Sequence, residues 1–517
     1  MSVNDAYHRF ESDRWRVDCA RDFLPHARAH GFTDPRAVFD RPGGRLVLLS
    51  PTLRVTRHTL DIPSPERELI VVLTPADADG IRPAVDARVV WKATGPAGRG
   101  FAIELPNGAC TLEDRIASRE ASDELRRVGG DLANAVSGGR RPLLRPSLIV
   151  REASGSFSFP VDGGGEDLAE ELVRLDAVLA LRRLSTAARL LGFGVLAHAL
   201  AIATSDRSLP RRLRAARGRM ALLREAVRED VAPYDVTTSS AGRYVSSRRW
   251  LDLLAKEGLG GIEEGLSYGG GERLRRLPDR ENVRIRARGY RSGEATFYMK
   301  RFVRRRRGPM SWIGRRSSAE PATRAAYEWE NGRLLGALGV SSAEPAALGE
   351  AAPIGRGASF VVTEEVTRTE PLDDWLASSS ARSLTAGERR DLVRAVAWLA
   401  GTLHRAGGIH KDLYLCHILI RKPEGRLPEL TLIDLDRMRF RDRVRVRWFV
   451  KDIAALYHSS RRISVSRSER LRFLREYLRC HPLAMEERRF ARRVLSKAAR
   501  MAAHVPRNQR SSASDAS

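Results

Sequence analysis

The stretch Ile409-His410-Lys411-Asp412-Leu413-Tyr414-Leu415-Cys416-His417, followed by Leu432-Ile433-Asp434, constrains this 517-residue chain more than any other. Transfer of a phosphoryl group from a nucleotide needs an Asp beside the attacking hydroxyl. It then needs a metal-ligand side chain shortly after, and a second Asp gripping the metal that bridges the phosphates. Asp412, His417 and Asp434 take those places in order. Apolar Ile418-Leu419-Ile420 and Leu430-Thr431-Leu432-Ile433 read as the two strands of a short hairpin between them. A lone His-x-Asp says little; the ordered set with its strands is far more specific.

An upstream half of such a site is also present. Ala295-Thr296-Phe297-Tyr298-Met299-Lys300-Arg301-Phe302 is an alternating, aromatic-rich strand carrying a lysine. The chain has seven lysines against 83 arginines, so a Lys kept in a strand has weight, because the two cations differ at a phosphate. Lys300 is expected to contact the α/β-phosphates of ATP. The helical pattern from Ala325 to Leu335 offers Glu328 to orient that lysine, with apolar Leu335 and Leu338 following on the helix face and Glu330 as the alternate.

His410-Lys411-Asp412-Leu413-Tyr414-Leu415-Cys416-His417-Ile418-Leu419 resembles the His-Arg-Asp-x-Tyr-x-Cys-His-Phe-Leu signature of the lipopolysaccharide core kinases. These are the heptose and Kdo kinases of Gram-negative envelope synthesis, relatives of protein kinases. Leu432-Ile433-Asp434-Leu435-Asp436-Arg437 resembles the family's Ile-Asp-Leu-His-Arg segment, and Val450 to Tyr457 its Lys-Asp-Leu-Ala-x-Leu run. The resemblance spans roughly Glu272 to Cys480. It implies a two-lobed fold enclosing ATP, Mg²⁺ on Asp434 and His417, Asp412 as the catalytic carboxylate with Lys411 beside it, and a structural role for Asp452. It also implies a sugar hydroxyl of an envelope glycolipid as acceptor. Alternatives left open are a protein or other small-molecule kinase on the same scaffold, and a pseudokinase binding module.

The chain departs from the family in places. Lys411 stands for the usual Arg, and Asp436 for a His on the substrate or metal side. No Gly-x-Gly-x-x-Gly covers the phosphates; the covering turn is expected at Leu277-Pro278-Asp279-Arg280, where the Arg280 side chain replaces close backbone approach. Glu364-Glu365-Val366 is the expected hinge, with Glu364 and Val366 meeting adenine. Cys416 is expected as a small buried filler. About 17 residues separate Asp434 from Asp452, too few for a peptide-binding platform, which favours a small or lipid-linked acceptor.

Four scattered cysteines and no leader-like apolar run point to a cytoplasmic protein. Segment 184–205 is the best membrane candidate, but its uninterrupted apolar core is too short to span. The formal charge is +26. With no nucleic-acid motif, the basic clusters at Arg304 to Arg307 and Arg439 to Arg447 suit an anionic glycolipid, or peripheral contact with the inner membrane, better than nucleic acid.

The fold class expected is α+β: a protein-kinase-like domain over 256–503, preceded by a mainly helical region over 116–255 and a small β-rich barrel or sandwich over 1–115. A disordered tail follows at 504–517. The strand Ala87-Arg88-Val89-Val90-Trp91 with Gly100 to Leu105 is faintly similar to the second half of PilZ domains, without their ligand-binding elements. Pro233 to Arg243 reads as a turn or linker, and Gly265 to Gly271 as a turn.

Overall fold

Leu69 to Leu73 is apolar without alternation, so a strand there must be covered on both faces. The computed structural model sets it inside a seven-stranded sheet. The strands are β1 (Tyr7–Ser12), β2 (Trp15–Ala20), β3 (Arg45–Ser50), β4 (Leu53–Leu60), β5 (Arg67–Thr74), β6 (Val89–Gly95) and β7 (Gly98–Glu104). Their spatial order is β1-β2-β6-β7-β5-β4-β3, antiparallel throughout. Leu69, Val71 and Leu73 of β5 join Phe23 and Trp91 in one core, while Ile70 and Val72 join Val55 and Ile103 in another. The described strands pair as one open sheet, not as a closed barrel.

The structure describes residues 7–503 except 13–14, 41–44, 51–52, 61–66, 77–80, 108, 117–120, 164–166, 183–199, 202–205, 207, 218–219, 290–292, 304–319, 355–356, 422–427, 462, 464 and 481–482. The basic run Arg304 to Arg307, the tail 504–517 and all of 184–205 save Leu200 and Ala201 therefore lie outside the described residues. Among the described residues no helix is long and apolar enough to cross a membrane.

Helices α1 (Ala121–Ser137), α2 (Leu168–Leu181), α3 (Leu209–Arg217) and α4 (Met220–Glu229) follow the sheet. Leu172, Leu175 and Leu179 of α2 form one stripe, packed on Leu125, Val128 and Leu132 of α1. Asp167 caps α2 by accepting from the Ala169 amide at 2.9 Å.

The chain divides into two compact units, 1–235 and 236–517, so the second starts before the expected 256. Of the two readings of Pro233 to Arg243, the turn holds and the linker does not, because the turn joins two strands. It forms the hairpin β8 (Tyr234–Ser239) and β9 (Gly242–Ser247), and β9 pairs antiparallel with β13 (Pro345–Ala351). β8 is a largely exposed edge strand, so its Thr-Thr-Ser run carries no apolar alternation.

The second unit then runs through α5 (Leu251–Lys256), α6 (Ile262–Ser267), β10 (Glu272–Leu277), β11 (Arg280–Gly289), β12 (Gly293–Phe302), α7 (Arg324–Ala337), β13 and β14 (Ser359–Glu364). Its sheet order is β8-β9-β13-β14-β12-β11-β10. Phe297 and Met299 of β12 enter the core with Trp250, Val283 and Phe360, which turns Tyr298 and Lys300 to the opposite face. Gly265 lies within α6 rather than in a turn; a Cβ there would sit 2.2 Å from the Phe360 ring.

Further on are α8 (Leu372–Ala377), α9 (Ala386–Arg405), β15 (Ile418–Arg421), β16 (Glu429–Leu432), α10 (Val446–Ser460), α11 (Arg467–Leu478) and α12 (Met485–Ala503). A Thr385/Glu388 capping box starts α9, and Gly407 at φ 74° follows its end. β15 and β16 form the antiparallel hairpin that separates His417 from Asp434.

Candidate active site

Alternation along β12 leaves Lys300 facing α7, and the contacts follow from that. Its Nζ donates to Glu328 Oε1 at 2.7 Å and to Asp434 Oδ1 at 2.8 Å. Glu328 is the partner rather than Glu330, because residues two apart on a helix face different ways. Burial opposes the Lys300 charge, but Glu328 and Asp434 outweigh it and hold its pKa above the ordinary lysine value. Burial also opposes ionisation of Asp434, yet Lys300 first, then His417 and Arg280, keep its carboxyl far below the usual range. Burial pushes the Glu328 carboxyl up, against the pull of Lys300.

Arg280 follows the two-residue turn Pro278-Asp279 and starts β11. Its Nη1 lies 3.7 Å from both Asp434 Oδ1 and Asp436 Oδ2. The Asp436 side chain is wholly buried and accepts from Arg324 Nε at 2.9 Å. Arg324 opens α7 and also donates to Asp279 at 3.2 Å. Asp436 and Arg324 thus tie the hairpin turn and the start of the Glu328 helix to the Asp434 segment. Asn331, also on α7, donates to the carbonyls of Leu435 and Met438 at 2.8 and 3.1 Å.

The Asp412 loop is fixed from α10. Asp452 accepts from the backbone amides of His410 at 2.8 Å and Lys411 at 2.9 Å. Those bonds hold Lys411 at φ 74°, and Asp434 has φ 62°; both are left-handed conformations that a side chain disfavours. The Asp412 carboxylate meets Arg437 Nη1 at 2.6 Å and Lys451 Nζ at 3.8 Å. His417 Nδ1 donates to the Asp412 carbonyl at 2.7 Å, leaving Nε2 3.7 Å from Asp434 Oδ2. Burial disfavours the charged ring, but bonds to Cys416 and the Asp412 carbonyl, with Asp434 opposite, push His417 up to about 9. Burial, then the neighbouring Arg439, Arg441, Arg437 and Lys451, bring Lys411 down to about 8. Cys416 is exposed rather than a buried filler; Leu415 fills the interior in its place.

The expected hinge closes β14. Glu364 pairs in register with Phe297 and Lys300 with Val361, so the hinge lies roughly 10 Å along the strand from the lysine. The Glu365 amide donates to the Thr296 carbonyl at 2.9 Å, and the Val366 carbonyl accepts from Thr369 at 2.6 Å.

Sequence reasoning missed Arg324, Arg437, Lys451 and Asn331, whose partners are up to 112 residues away. Arg437 and Lys451 stand in the family-like runs around Asp434 and Asp452, whereas Arg324 and Asn331 gave no signal.

Among the described residues no group of three or more His, Cys, Asp or Glu is arranged to hold a metal ion. Magnesium asks for less from a protein, since it is held through one or two carboxylates with phosphate oxygens and water. Asp434 fits that need. His417 Nε2 faces the Asp434 carboxylate and would have to give up its proton to join Asp434 on a metal, and nitrogen is the softer ligand.

Residues 287–477 match the lipopolysaccharide kinase (Kdo/WaaP) family, inside the stretch picked out from sequence. The lipopolysaccharide core heptose(I) kinase WaaP of Pseudomonas aeruginosa is 39% identical over 31% of this chain and 61% of its own length. The WaaP of Escherichia coli is 35% identical over 30% and 61%. The chain therefore spans about three-fifths of the curated relatives it matches. A solved structure of WaaP in complex with acyl carrier protein is 29% identical, covering 48% of this chain and 95% of that one, with a TM-score of 0.39. Residues 287–477 are thus similar in sequence to the lipopolysaccharide kinase (Kdo/WaaP) family.

Proposed function

We propose that the second unit is an ATP-dependent kinase that phosphorylates a sugar hydroxyl of an envelope glycolipid. One observation carries this reading: Lys300, Glu328 and Asp434, from three distant parts of the chain, meet within hydrogen-bond distance. A lysine that contacts phosphates must stay charged and aimed, and here both carboxylates keep a buried lysine so.

In this reading the β8–β14 sheet with α7 forms one lobe and α8 to α12 the other, with ATP between them. The backbone at Glu364 and Val366 meets adenine. Lys300, oriented by Glu328, holds the α/β-phosphates, and the 10 Å offset from hinge to lysine suits a nucleotide's length. Arg280 reaches down on the outer phosphates from the hairpin turn in place of a glycine-rich backbone. Asp434, with His417 behind it, would hold magnesium, which when bound neutralises charge building on the phosphates. Asp412 accepts the hydrogen bond of the acceptor hydroxyl and takes its proton as the new bond to the γ-phosphorus forms and the bond to the β,γ-bridging oxygen breaks, leaving ADP. Arg437 and Lys451 keep that carboxylate ionised and aimed. Lys411, Arg437 and Lys451 place positive charge beside the transferring group.

Two substitutions test the assignment. Asp434→Asn should abolish the magnesium dependence of ATP affinity in calorimetry. Asp412→Ala should leave ATP affinity within about twofold while lowering turnover by roughly 10³ or more. Unchanged magnesium dependence in the first, or near wild-type turnover in the second, removes that residue from its role.

A further inference from the structure

Of the carboxylates around Lys300, Asp436 has no part in the phosphoryl transfer, yet its side chain is buried more deeply than those of Glu328 and Asp434. Its Oδ2 is shared. Arg324 donates to it through Nε at 2.9 Å and through Nη2, and Arg280 Nη1 lies 3.7 Å away. Its Oδ1 is buried with no hydrogen-bond partner among the described residues. A carboxylate buried this far is stable only against cations, and two guanidiniums supply them. The family-like segment has a His at this position, so the arrangement is a departure made by this chain.

Arg324 carries that charge to the hairpin turn. It opens α7, and its guanidinium carbon lies over the Phe302 ring, 4.7 Å from the centroid. Phe302 is the residue paired in register with Arg280. From there Arg324 Nη1 donates to Asp279 Oδ2 at 3.2 Å, and the Asp279 carbonyl accepts from the Val303 amide at 3.2 Å. The Pro278-Asp279 turn is therefore fastened to both α7 and β12. Arg280 itself is held more loosely. Its Nη1 is 3.7 Å from Asp434 and from Asp436, beyond hydrogen-bond length for either. Charge keeps it there, not a fixed bond. Asp434 cannot serve Arg280 and a metal ion at once. When Asp434 turns to the metal, Lys300 retains Glu328 and Arg280 retains Asp436.

We propose that Asp436, gripped by the Arg324 fork, is the positioning residue that keeps Arg280 over the outer phosphates of the nucleotide once Asp434 is engaged. Asp436 touches neither nucleotide nor acceptor; it acts through Arg280. The fork fixes Asp436, the ion pair aims Arg280, and the Arg324 bond to Asp279 sets the height of the turn. A salt-bridged turn thereby takes the place of a glycine-rich one. The proposal rests on the kinase reading for its nucleotide.

The test is calorimetry of the full chain in saturating magnesium, with ATP and with AMP, which lacks the outer phosphates. Arg280→Ala should weaken ATP binding by about tenfold, as expected for loss of a charge-assisted hydrogen bond, and leave AMP within about twofold. Asp436→Asn should reproduce both results, although it removes no group that meets the nucleotide. Added to Arg280→Ala, it should cost less than about twofold more, because both act through one side chain. Arg324→Lys keeps the charges and gives up only the fork, so it replaces Asp436→Asn in the same cycle if that variant lowers the thermal midpoint. ATP affinity unchanged in Arg280→Ala or in Asp436→Asn overturns the proposal. So does a loss as large on top of Arg280→Ala as in wild type, or one that AMP shares equally, since either marks a role in general packing. If wild type shows no preference for ATP over AMP, the nucleotide reading itself fails and takes the proposal with it.

Discussion

At the scale of single residues, His417 shows how the site stores charge. Its pKa of about 9 lies above the ordinary histidine value of 6.5. The proton therefore stabilises the folded protein fully below about 6.5, and that contribution is lost as the pH rises through about 9. Denaturant midpoints in chelator should show wild type exceeding His417→Gln by roughly 2 kcal/mol near pH 6, with the gap closing toward pH 9.5. A gap independent of pH would mean the ring is not charged beside Asp434. That Lys300, Asp412, His417 and Asp434 gather at one place is legible from their order and spacing in the sequence. Arg324 on Asp436 is not legible: an arginine among 83 gives no signal until folding sets it against its carboxylate. Cys416 is expected inside because a free cysteine is usually buried, but the single turn Leu415–His417 points Leu415 inward and leaves Cys416 exposed.

At the scale of elements, what could be read depended on which faces are buried. The helix Ala386–Arg405 and the strand Gly293–Phe302 carry apolar patterns and end signals, and both are legible. The hairpin Tyr234–Ser247 is not, because an exposed edge strand needs no apolar face. Gly265 misleads for another reason: it is glycine for want of space, pressed on the Phe360 ring, and not for a turn. Gly265→Ala should therefore lower stability by about 1–2 kcal/mol in urea unfolding, overpacking outweighing the gain in helix propensity. A more stable variant would mean that α6 stands free of the sheet.

At the scale of the molecule, the first unit gives no functional signal comparable to the second. Its apolar strands predict a sheet, but the order β1-β2-β6-β7-β5-β4-β3 depends on long-range pairing that period-two patterns do not encode. In the second unit, an ordered motif, a matched domain and a converging set of charges point to one chemistry. The most direct measurement of that claim is transfer of labelled γ-phosphate from ATP to isolated core oligosaccharides by the full chain. It should be run beside Lys300→Ala and Asp412→Ala. The account predicts label on a sugar hydroxyl with wild type, requiring magnesium, and a fall of roughly 10³ or more with either variant. Magnesium-ATP binding by wild type without any labelled sugar, or label transferred equally well by Asp412→Ala, would contradict it.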